Sequence, residues 1–123
     1  MAKILLAEDD DAVREFVARA LVEDGHELTA TADGAAALDA LDGQKGEFAL
    51  LLTDVKMPMM DGIALALAAG RDHPNVAIIL MTGYADQRER ARSLDALVHD
   101  VIAKPFSVAQ IKDAVREALT ARH

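Results

Sequence analysis

The sequence contains no cysteine and no tryptophan, and it is short of basic residues. Without cysteine there can be no disulfide, no thiol catalysis and no cysteine-ligated zinc site. Thirteen lysine and arginine residues stand against 21 acidic ones, which gives a formal charge of −8. Nucleic acids and anionic membrane surfaces bind to basic faces, and no apolar run approaches the roughly 18 residues of a transmembrane helix. We therefore expect neither nucleic acid nor membrane as a partner.

Aliphatic side chains are what the sequence offers for a core. Of the 123 residues, 52% are hydrophobic, yet only three phenylalanines and one tyrosine are aromatic. This length suits one domain that buries an aliphatic core without disulfides. The amino terminus does not have the pattern of a signal peptide, so we expect a cytoplasmic protein.

Short apolar runs alternate with amphipathic segments along the chain. The runs at 48–53 and 76–81 are apolar almost throughout, which is typical of strands covered on both faces. Further strands are predicted at 3–7, 27–31 and 101–103. Helices are predicted between them: from Asp10 or Asp11 to Gly25, at 35–41, 63–69 and 85–97, and after a capping box that begins at Ser107. Five strands alternating with five helices predict an α/β fold with a doubly wound parallel sheet.

Polar residues follow four of the predicted strands. Glu8 and Asp9 follow the first strand, Asp54 the third, Thr82 the fourth and Lys104 the fifth. In folds of this class, ligands bind outside the carboxyl ends of the strands. We therefore expect these side chains to converge at one edge of the sheet.

The chemistry of this edge follows from its residue types. Convergent carboxylates repel one another, and a divalent cation relieves the repulsion. Oxygen ligands without a cysteine–histidine cluster favour Mg²⁺, which also bridges to phosphate oxygens. A lysine and a hydroxyl suit the other oxygens of a phosphoryl group, and an aspartate can itself be the nucleophile that forms an acyl phosphate. The predicted site is thus one that accepts a phosphoryl group on a carboxylate.

Four segments together resemble the receiver domain of two-component response regulators. They are ILLAEDD at 4–10, LLTDVKMPMMDG at 51–62, ILMTG at 79–83 and AKPF at 103–106, and the similarity extends over essentially the whole chain. The resemblance implies a flavodoxin-like (βα)5 fold with strand order 2-1-3-4-5. It also implies that residues 1–123 form one receiver domain with no output domain.

The same resemblance implies a role for each acidic residue of the predicted edge. Asp54 would be the phosphoacceptor. Glu8, Asp9 and Asp54 would hold Mg²⁺ together with the backbone carbonyl of Lys56. A cis peptide bond would precede Pro105.

On the other side of the phosphoryl group, the resemblance implies that Thr82 and Lys104 bind it and form the switch. The position three residues before Lys104 is usually aromatic in this family, but here it is Val101. A valine cannot swing a ring between solvent and core, so we expect Tyr84 to act as the moving aromatic residue. Tyr84 and Lys56 flank the path of the hydrolytic water in this family, and a bulky Tyr84 is expected to slow autodephosphorylation.

The resemblance further implies a stand-alone response regulator. A histidine kinase or a histidine phosphotransfer protein would donate the phosphoryl group, and an unidentified output protein would receive the signal. ILLAEDD together with LLTD resembles the CpdR-type regulators of α-proteobacteria, which are adaptors that prime the ClpXP protease when unphosphorylated. We expect a monomer or a weak, phosphorylation-dependent dimer.

Two alternatives stay open. The first is a phosphate shuttle or sink within a phosphorelay. The second, more remote, is a phosphohydrolase with an aspartyl-phosphate intermediate. Such enzymes commonly carry a second aspartate two residues after the nucleophile, where this sequence has Lys56. We therefore expect no enzyme activity beyond the chain's own phosphorylation and dephosphorylation.

Overall fold

A computed structural model describes residues 2–44, 47–83, 85–92 and 94–121, so Tyr84 lies outside the described residues. Helices and strands alternate in the order β1 (Lys3–Ala7), α1 (Asp11–Glu23), β2 (Glu27–Thr31), α2 (Gly34–Gln44), β3 (Leu50–Asp54), α3 (Gly62–Asp72), β4 (Ala77–Thr82), α4 (Ala85–Arg92), β5 (Asp100–Ala103) and α5 (Val108–Thr120). None of the described helices is both long and apolar enough to cross a lipid bilayer.

The strands form one parallel sheet in the order β2-β1-β3-β4-β5. This order confirms the predicted doubly wound, flavodoxin-like fold. The register pairs Ala7 with Thr53, Asp54 with Met81, and Thr82 with Ala103. The carboxyl ends of β1, β3, β4 and β5 therefore lie side by side along one edge of the sheet.

The hydrophobic core has two layers, one on each face of the sheet. Leu5 and Leu51 point into the layer that contains residues of α2 and α3. Their neighbours Ile4, Leu50 and Leu52 point into the layer formed with α1 and α5. All five residues of β3 are buried, which explains why this strand reads as a continuous apolar run rather than as an alternating one.

Side-chain caps fix the helix starts nearest to the site. Asp10 accepts hydrogen bonds from two backbone N–H groups in the first turn of α1, and Asp61 does the same for one N–H group of α3. Ser107 and Gln110 form the predicted capping box of α5. Because such caps satisfy backbone donors that have no partner within the helix, each helix can begin close to the preceding strand.

Several element boundaries differ from the sequence prediction. Helix α2 does not stop before Gly43 but continues to Gln44, whereas α1 does end before Gly25, which has a φ of +89°. Helix α4 ends at Arg92 rather than near Leu97. Strand β3 starts at Leu50 instead of Phe48 and includes Asp54. Strand β4 begins and ends one residue later than predicted, and β5 begins one residue earlier than predicted but ends at Ala103, as predicted.

Candidate functional site

Three carboxylates meet at the carboxyl edge of the sheet. Glu8 directly follows β1, and Asp54 is the last residue of β3. One carboxylate oxygen from each of Glu8, Asp9 and Asp54 lies within 4.8 Å of the others. Glu8 is fully buried and Asp54 is 6% exposed, whereas Asp9 faces solvent. Two of the three carboxylates are therefore shielded from water. Repulsion between charges is strong in such a buried environment.

Lys104 is the cation that faces this cluster. Its Nζ donates to Glu8 Oε1 at 2.6 Å and lies 3.2 Å from Asp54 Oδ2. The residue directly follows β5, and the Lys104–Pro105 peptide bond is cis, as predicted. The ammonium group of Lys104, which follows β5, thus contacts the carboxylates at the ends of β1 and β3.

The pKa values of these groups reflect burial first. Burial raises the pKa of both Glu8 and Asp54, and the charge of a neighbouring carboxylate adds to the effect in each case. Burial alone would lower the pKa of Lys104, but its hydrogen bond to Glu8 and the charge of Asp54 outweigh that and raise it. Lys104 therefore stays an ammonium group, and the three carboxylates share one positive charge.

The excess of negative charge in this cluster makes the site suitable for a divalent cation. The donor atoms are all carboxylate oxygens, which are the protein ligands that Mg²⁺ favours, and Mg²⁺ also keeps part of its water shell. Asp9 is exposed and opens the cluster to solvent, which leaves access for a hydrated ion. Glu8, Asp9 and Asp54 therefore fit the predicted metal site. The part assigned to the Lys56 carbonyl stays a prediction, although the exposed Lys56 does lie in the loop that follows Asp54.

Two hydrogen-bonding features surround the Asp54 carboxylate. Its Oδ1 accepts from the Val55 N–H at 2.9 Å, and the same N–H lies 3.1 Å from the Met81 carbonyl oxygen. The Thr82 side chain, at the end of the neighbouring strand, is 1% exposed. Within the described part of the chain, its hydroxyl has no hydrogen-bond partner. An unused donor beside an acceptor carboxylate is available for an incoming group.

Of the predicted modulators, Val101 is half-buried on β5 and packs against the core layer that contains Leu51. It lines a groove of about 540 Å³ at the edge of the sheet, together with Arg92, Asp95 and His99. An aliphatic residue therefore fills the position that is usually aromatic. The predicted role of Tyr84 falls outside the described residues.

The architecture and the polar residues at the strand ends agree with one family. A family model for the response regulator receiver domain matches residues 4–116. The chain belongs to the response regulator receiver family. The matched region includes every residue of the acidic cluster together with Thr82 and Lys104.

Individual relatives place the receiver among stand-alone and multidomain proteins. It is 38% identical to the response regulator receiver protein CpdR of Brucella abortus, over 98% of this chain and 99% of the relative. It is 33% identical to the sporulation initiation phosphotransferase F of Bacillus subtilis, over 95% and 93% respectively. A CheY-like receiver domain protein of Methanospirillum hungatei superimposes with a TM-score of 0.88 at 28% identity, covering 99% of this chain and 96% of that structure. Other relatives are longer, and the receiver spans about half of the transcriptional regulatory protein CseB.

Two arginines of the receiver make polar contacts near the site that were not predicted from the sequence. Arg14 Nη1 donates to the Glu8 carbonyl oxygen at 2.9 Å, and its other terminal nitrogen contacts Asp11. Arg90 Nη2 donates to Asp61 Oδ2 at 2.8 Å, which joins α4 to the first residue before α3. The spacing of Arg14 from Glu8, six residues across a strand-to-helix turn, has no simple periodic signature. Contacts of this kind can be identified only from the three-dimensional structure of the turn.

An apolar groove of about 500 Å³ borders the site. It is lined mainly by Val13 and Phe16 of α1 and by Pro105 and Phe106 after β5, and Lys104 lies at its edge. The rings of Phe16 and Phe106 are 6.3 Å apart between centroids, and Phe16 is 40% exposed. Large apolar side chains that face solvent are typical of contact surfaces, so this groove is a candidate contact surface next to the acidic cluster.

Proposed function

We propose that the receiver accepts a phosphoryl group on Asp54 from a phosphohistidine and transmits the change to another protein. The observation that carries this proposal is the placement of one buried carboxylate between two acidic neighbours and one lysine. Asp54 lies within 4.8 Å of Glu8 and Asp9 oxygens and 3.2 Å from Lys104 Nζ, which also contacts Glu8 at 2.6 Å. Such a carboxylate is positioned by its own strand, and groups that can stabilise the charge of an incoming phosphoryl group lie next to it.

In the proposed transfer, a carboxylate oxygen of Asp54 forms a bond to phosphorus while the bond from phosphorus to the donor imidazole nitrogen breaks. The imidazole nitrogen leaves with the electron pair, and the ring departs as neutral imidazole because its other nitrogen carries a proton or takes one up from water. The oxidation state of phosphorus does not change, so no oxidant is needed. Mg²⁺ bound by Glu8, Asp9 and Asp54 would neutralise charge on the phosphoryl oxygens. Lys104 remains an ammonium group throughout and supplies a second positive charge for the phosphoryl oxygens.

The signal would arise from the two strand ends that face the new group. The unpartnered Thr82 hydroxyl can donate to a phosphoryl oxygen, and Lys104 can exchange Asp54 for that oxygen while it keeps Glu8. Both movements are local, but Thr82 ends β4 and Lys104 follows β5. A shift of these ends biases the surface formed by α4, β5 and α5 toward a second arrangement, and Val101 is the side chain on β5 that must repack.

The histidine of a donor protein must reach a nearly buried carboxylate, so the donor has to contact the surface around it. The apolar groove beside Lys104 supports this approach, because Phe16 and Phe106 provide contact area next to the opening. A histidine kinase or a histidine phosphotransfer protein is therefore the proposed donor. Phe16→Ala is expected to slow transfer from the donor protein while leaving labelling by acetyl phosphate unchanged.

Incubation with acetyl phosphate and Mg²⁺ tests the site directly. The wild-type receiver should become labelled, and Asp54→Asn should not. Asp61→Asn is the matched control, because Asp61 lies in the same loop and asparagine is an equally good helix cap. Label that persists in Asp54→Asn, or that disappears equally in Asp61→Asn, would contradict the assignment.

Two outputs are supported by different relatives. Similarity to CpdR along the whole length of both proteins supports an adaptor that binds a non-kinase partner, for which ClpXP is the proposed protease. Similarity to sporulation initiation phosphotransferase F supports a phosphate shuttle. A pull-down with and without beryllofluoride distinguishes them: an adaptor retains a non-kinase partner in one state, whereas a shuttle passes its label back to a histidine phosphotransfer protein.

We further propose that the receiver is a cytoplasmic monomer or weak dimer and turns over no external substrate. The residue two positions after Asp54 is Lys56, which is not the carboxylic acid that a phosphohydrolase of this type uses as acid and base. Steady hydrolysis of phosphate esters by the purified chain, abolished by Asp54→Asn, would contradict this and restore the phosphohydrolase alternative.

A further inference from the structure

The start of helix α2 lies directly against the loop that follows the phosphoacceptor. Gly34 is the first residue of α2 and is buried. A Cβ atom at Gly34 would lie 2.1 Å from the Met60 carbonyl oxygen and 2.9 Å from the Met60 Cβ. Both distances are far below van der Waals contact, so helix and loop can approach this closely only because the residue is glycine.

The same loop is confined from the other side by Asp54 itself. A Cβ atom at Gly62 would lie 1.9 Å from the Asp54 carbonyl oxygen. The Gly62 N–H donates to the Val55 carbonyl oxygen at 2.7 Å, which closes the loop on itself. Residues 55–61 therefore form a packed unit between the backbone of the phosphoacceptor and the start of α2, and this unit contains Lys56.

Helix α2 is the more firmly held of the two partners. Its residues Ala37 and Leu41 are fully buried in the core, and Asp33 accepts a hydrogen bond of 2.7 Å from the Ala36 N–H at its start. On the loop side, Met59 is 84% exposed and has a φ of +72°. A side chain added at Gly34 would therefore displace the loop rather than the helix.

We propose that Gly34 is a positioning residue for the loop that follows the phosphoacceptor: because it has no Cβ, α2 lies against the Met60 carbonyl and holds this loop, which contains Lys56 and begins directly after Asp54, in place for metal and phosphoryl binding. This inference rests on the proposed phosphorylation of Asp54. It assigns to a residue outside the acidic cluster, and outside β1, β3, β4 and β5, a part in forming the site.

Gly34→Ala and Gly43→Ala are a matched pair for the test. Both substitutions lie in α2 and favour the helix, but a Cβ at Gly43 meets nothing within 4 Å. Isothermal titration of each variant with MgCl₂ alone measures metal affinity without phosphorylation. We expect Gly34→Ala to weaken Mg²⁺ binding about tenfold, as is typical for residues that orient metal ligands, and Gly43→Ala to leave it unchanged.

The Mg²⁺ dependence of labelling by acetyl phosphate is a second measurement. It would stay unchanged if Gly34 had a purely structural role. For Gly34→Ala, the Mg²⁺ concentration at half-maximal rate should rise by a similar factor while Gly43→Ala follows the wild type. If Gly34→Ala loses stability but keeps the wild-type Mg²⁺ affinity and Mg²⁺ dependence, Gly34 has no positioning role and the inference is wrong.

If Gly34→Ala does not fold, nuclear magnetic resonance of the wild-type chain tests the inference instead. The sequence has seven glycines, whose amide signals are well separated from those of other residues. Addition of MgCl₂ should shift the amide signals of Gly34 and Gly62 and leave those of Gly25 and Gly43 in place. A shift at Gly62 without one at Gly34 would overturn the inference.

The experiment also separates this inference from the proposed function. If the wild-type receiver is not labelled on Asp54, the proposed function fails, whereas the MgCl₂ titrations still decide the role of Gly34. If labelling of the wild type requires Asp54 but Gly34→Ala behaves as the wild type does, the function stands and only the role of Gly34 is rejected.

Discussion

Replacing Asp54 with asparagine should stabilise the receiver in the absence of divalent cations. The Asp54 carboxylate is separated from oxygens of Glu8 and Asp9 by at most 4.8 Å, and each repulsion amounts to about 3.5 kcal/mol at an effective dielectric constant of about 20. Attraction to Lys104 at 3.2 Å offsets about 5 kcal/mol of this by the same relation. The net repulsion on Asp54 is therefore about 2 kcal/mol.

The substitution Asp54→Asn does not convert all of this repulsion into a gain in stability. The asparagine side chain keeps the acceptor for the Val55 N–H, but its amide group turns a donor toward Lys104. We therefore expect a gain of about 1 to 2 kcal/mol in the free energy of unfolding. For a domain of this size, that gain corresponds to an increase of about 3 to 8 °C in melting temperature.

Thermal unfolding followed by circular dichroism, in EDTA and in excess MgCl₂, measures the effect. Mg²⁺ should stabilise the wild type by mass action, by about 2.7 kcal/mol at a hundredfold excess over its dissociation constant, and Asp54→Asn much less. Asp113→Asn, which changes an exposed carboxylate of α5, is the control and should shift stability by less than about 0.5 kcal/mol. A lower melting temperature for Asp54→Asn in EDTA would refute the charge argument.

Three further predictions concern Thr82, the α5 cap and His26. Thr82→Val should raise the free energy of unfolding by about 1 kcal/mol, because the buried hydroxyl has no partner among the described residues, and should remove the response of the receiver to beryllofluoride in chemical denaturation. Ser107→Ala should cost about 1 kcal/mol in the same assay, because it breaks the capping box with Gln110. Burial lowers the pKa of His26 from its ordinary value of 6.5, and its Nδ1 accepts from the Ala2 N–H. Stability from this residue is therefore fully present above pH 6.5 and is lost as the pH falls from there through the lower pKa of His26 in the folded state, and His26→Asn should flatten this part of the pH profile.

The convergence of the polar residues at one edge was predictable from the sequence because the register of a parallel sheet leaves little freedom. Once the strands were recognised, the residues that follow them had to meet at one edge. What the sequence did not reveal was the pairing inside the cluster. The shorter contact of Lys104 is to Glu8, at 2.6 Å, rather than to Asp54, at 3.2 Å, and this depends on side-chain reach, which has no signature in residue spacing.

The helix boundaries show where sequence periodicity is insufficient. The charged and only weakly patterned segment 85–97 was predicted to be helical as far as Leu97, and this interval includes Leu94. In the structure, the backbone N–H groups of Leu94 and Leu97 bond three residues back, in turns. The space for these turns is created by another element: a Cβ at Gly70 of α3 would lie 2.0 Å from Leu97 Cδ1. Tertiary packing of this kind overrides a local pattern.

The contact between Lys104 and Glu8 joins residues 96 positions apart in the chain, and Asp54 lies roughly midway between them. Pairings between such distant residues form late in folding, because the intervening chain must first be ordered. A nascent or partly unfolded chain therefore has the acidic residues but not the assembled site. On the proposed function, incorporation of label into Asp54 would count only native molecules, and the fraction of a preparation that can be phosphorylated would measure its folded fraction.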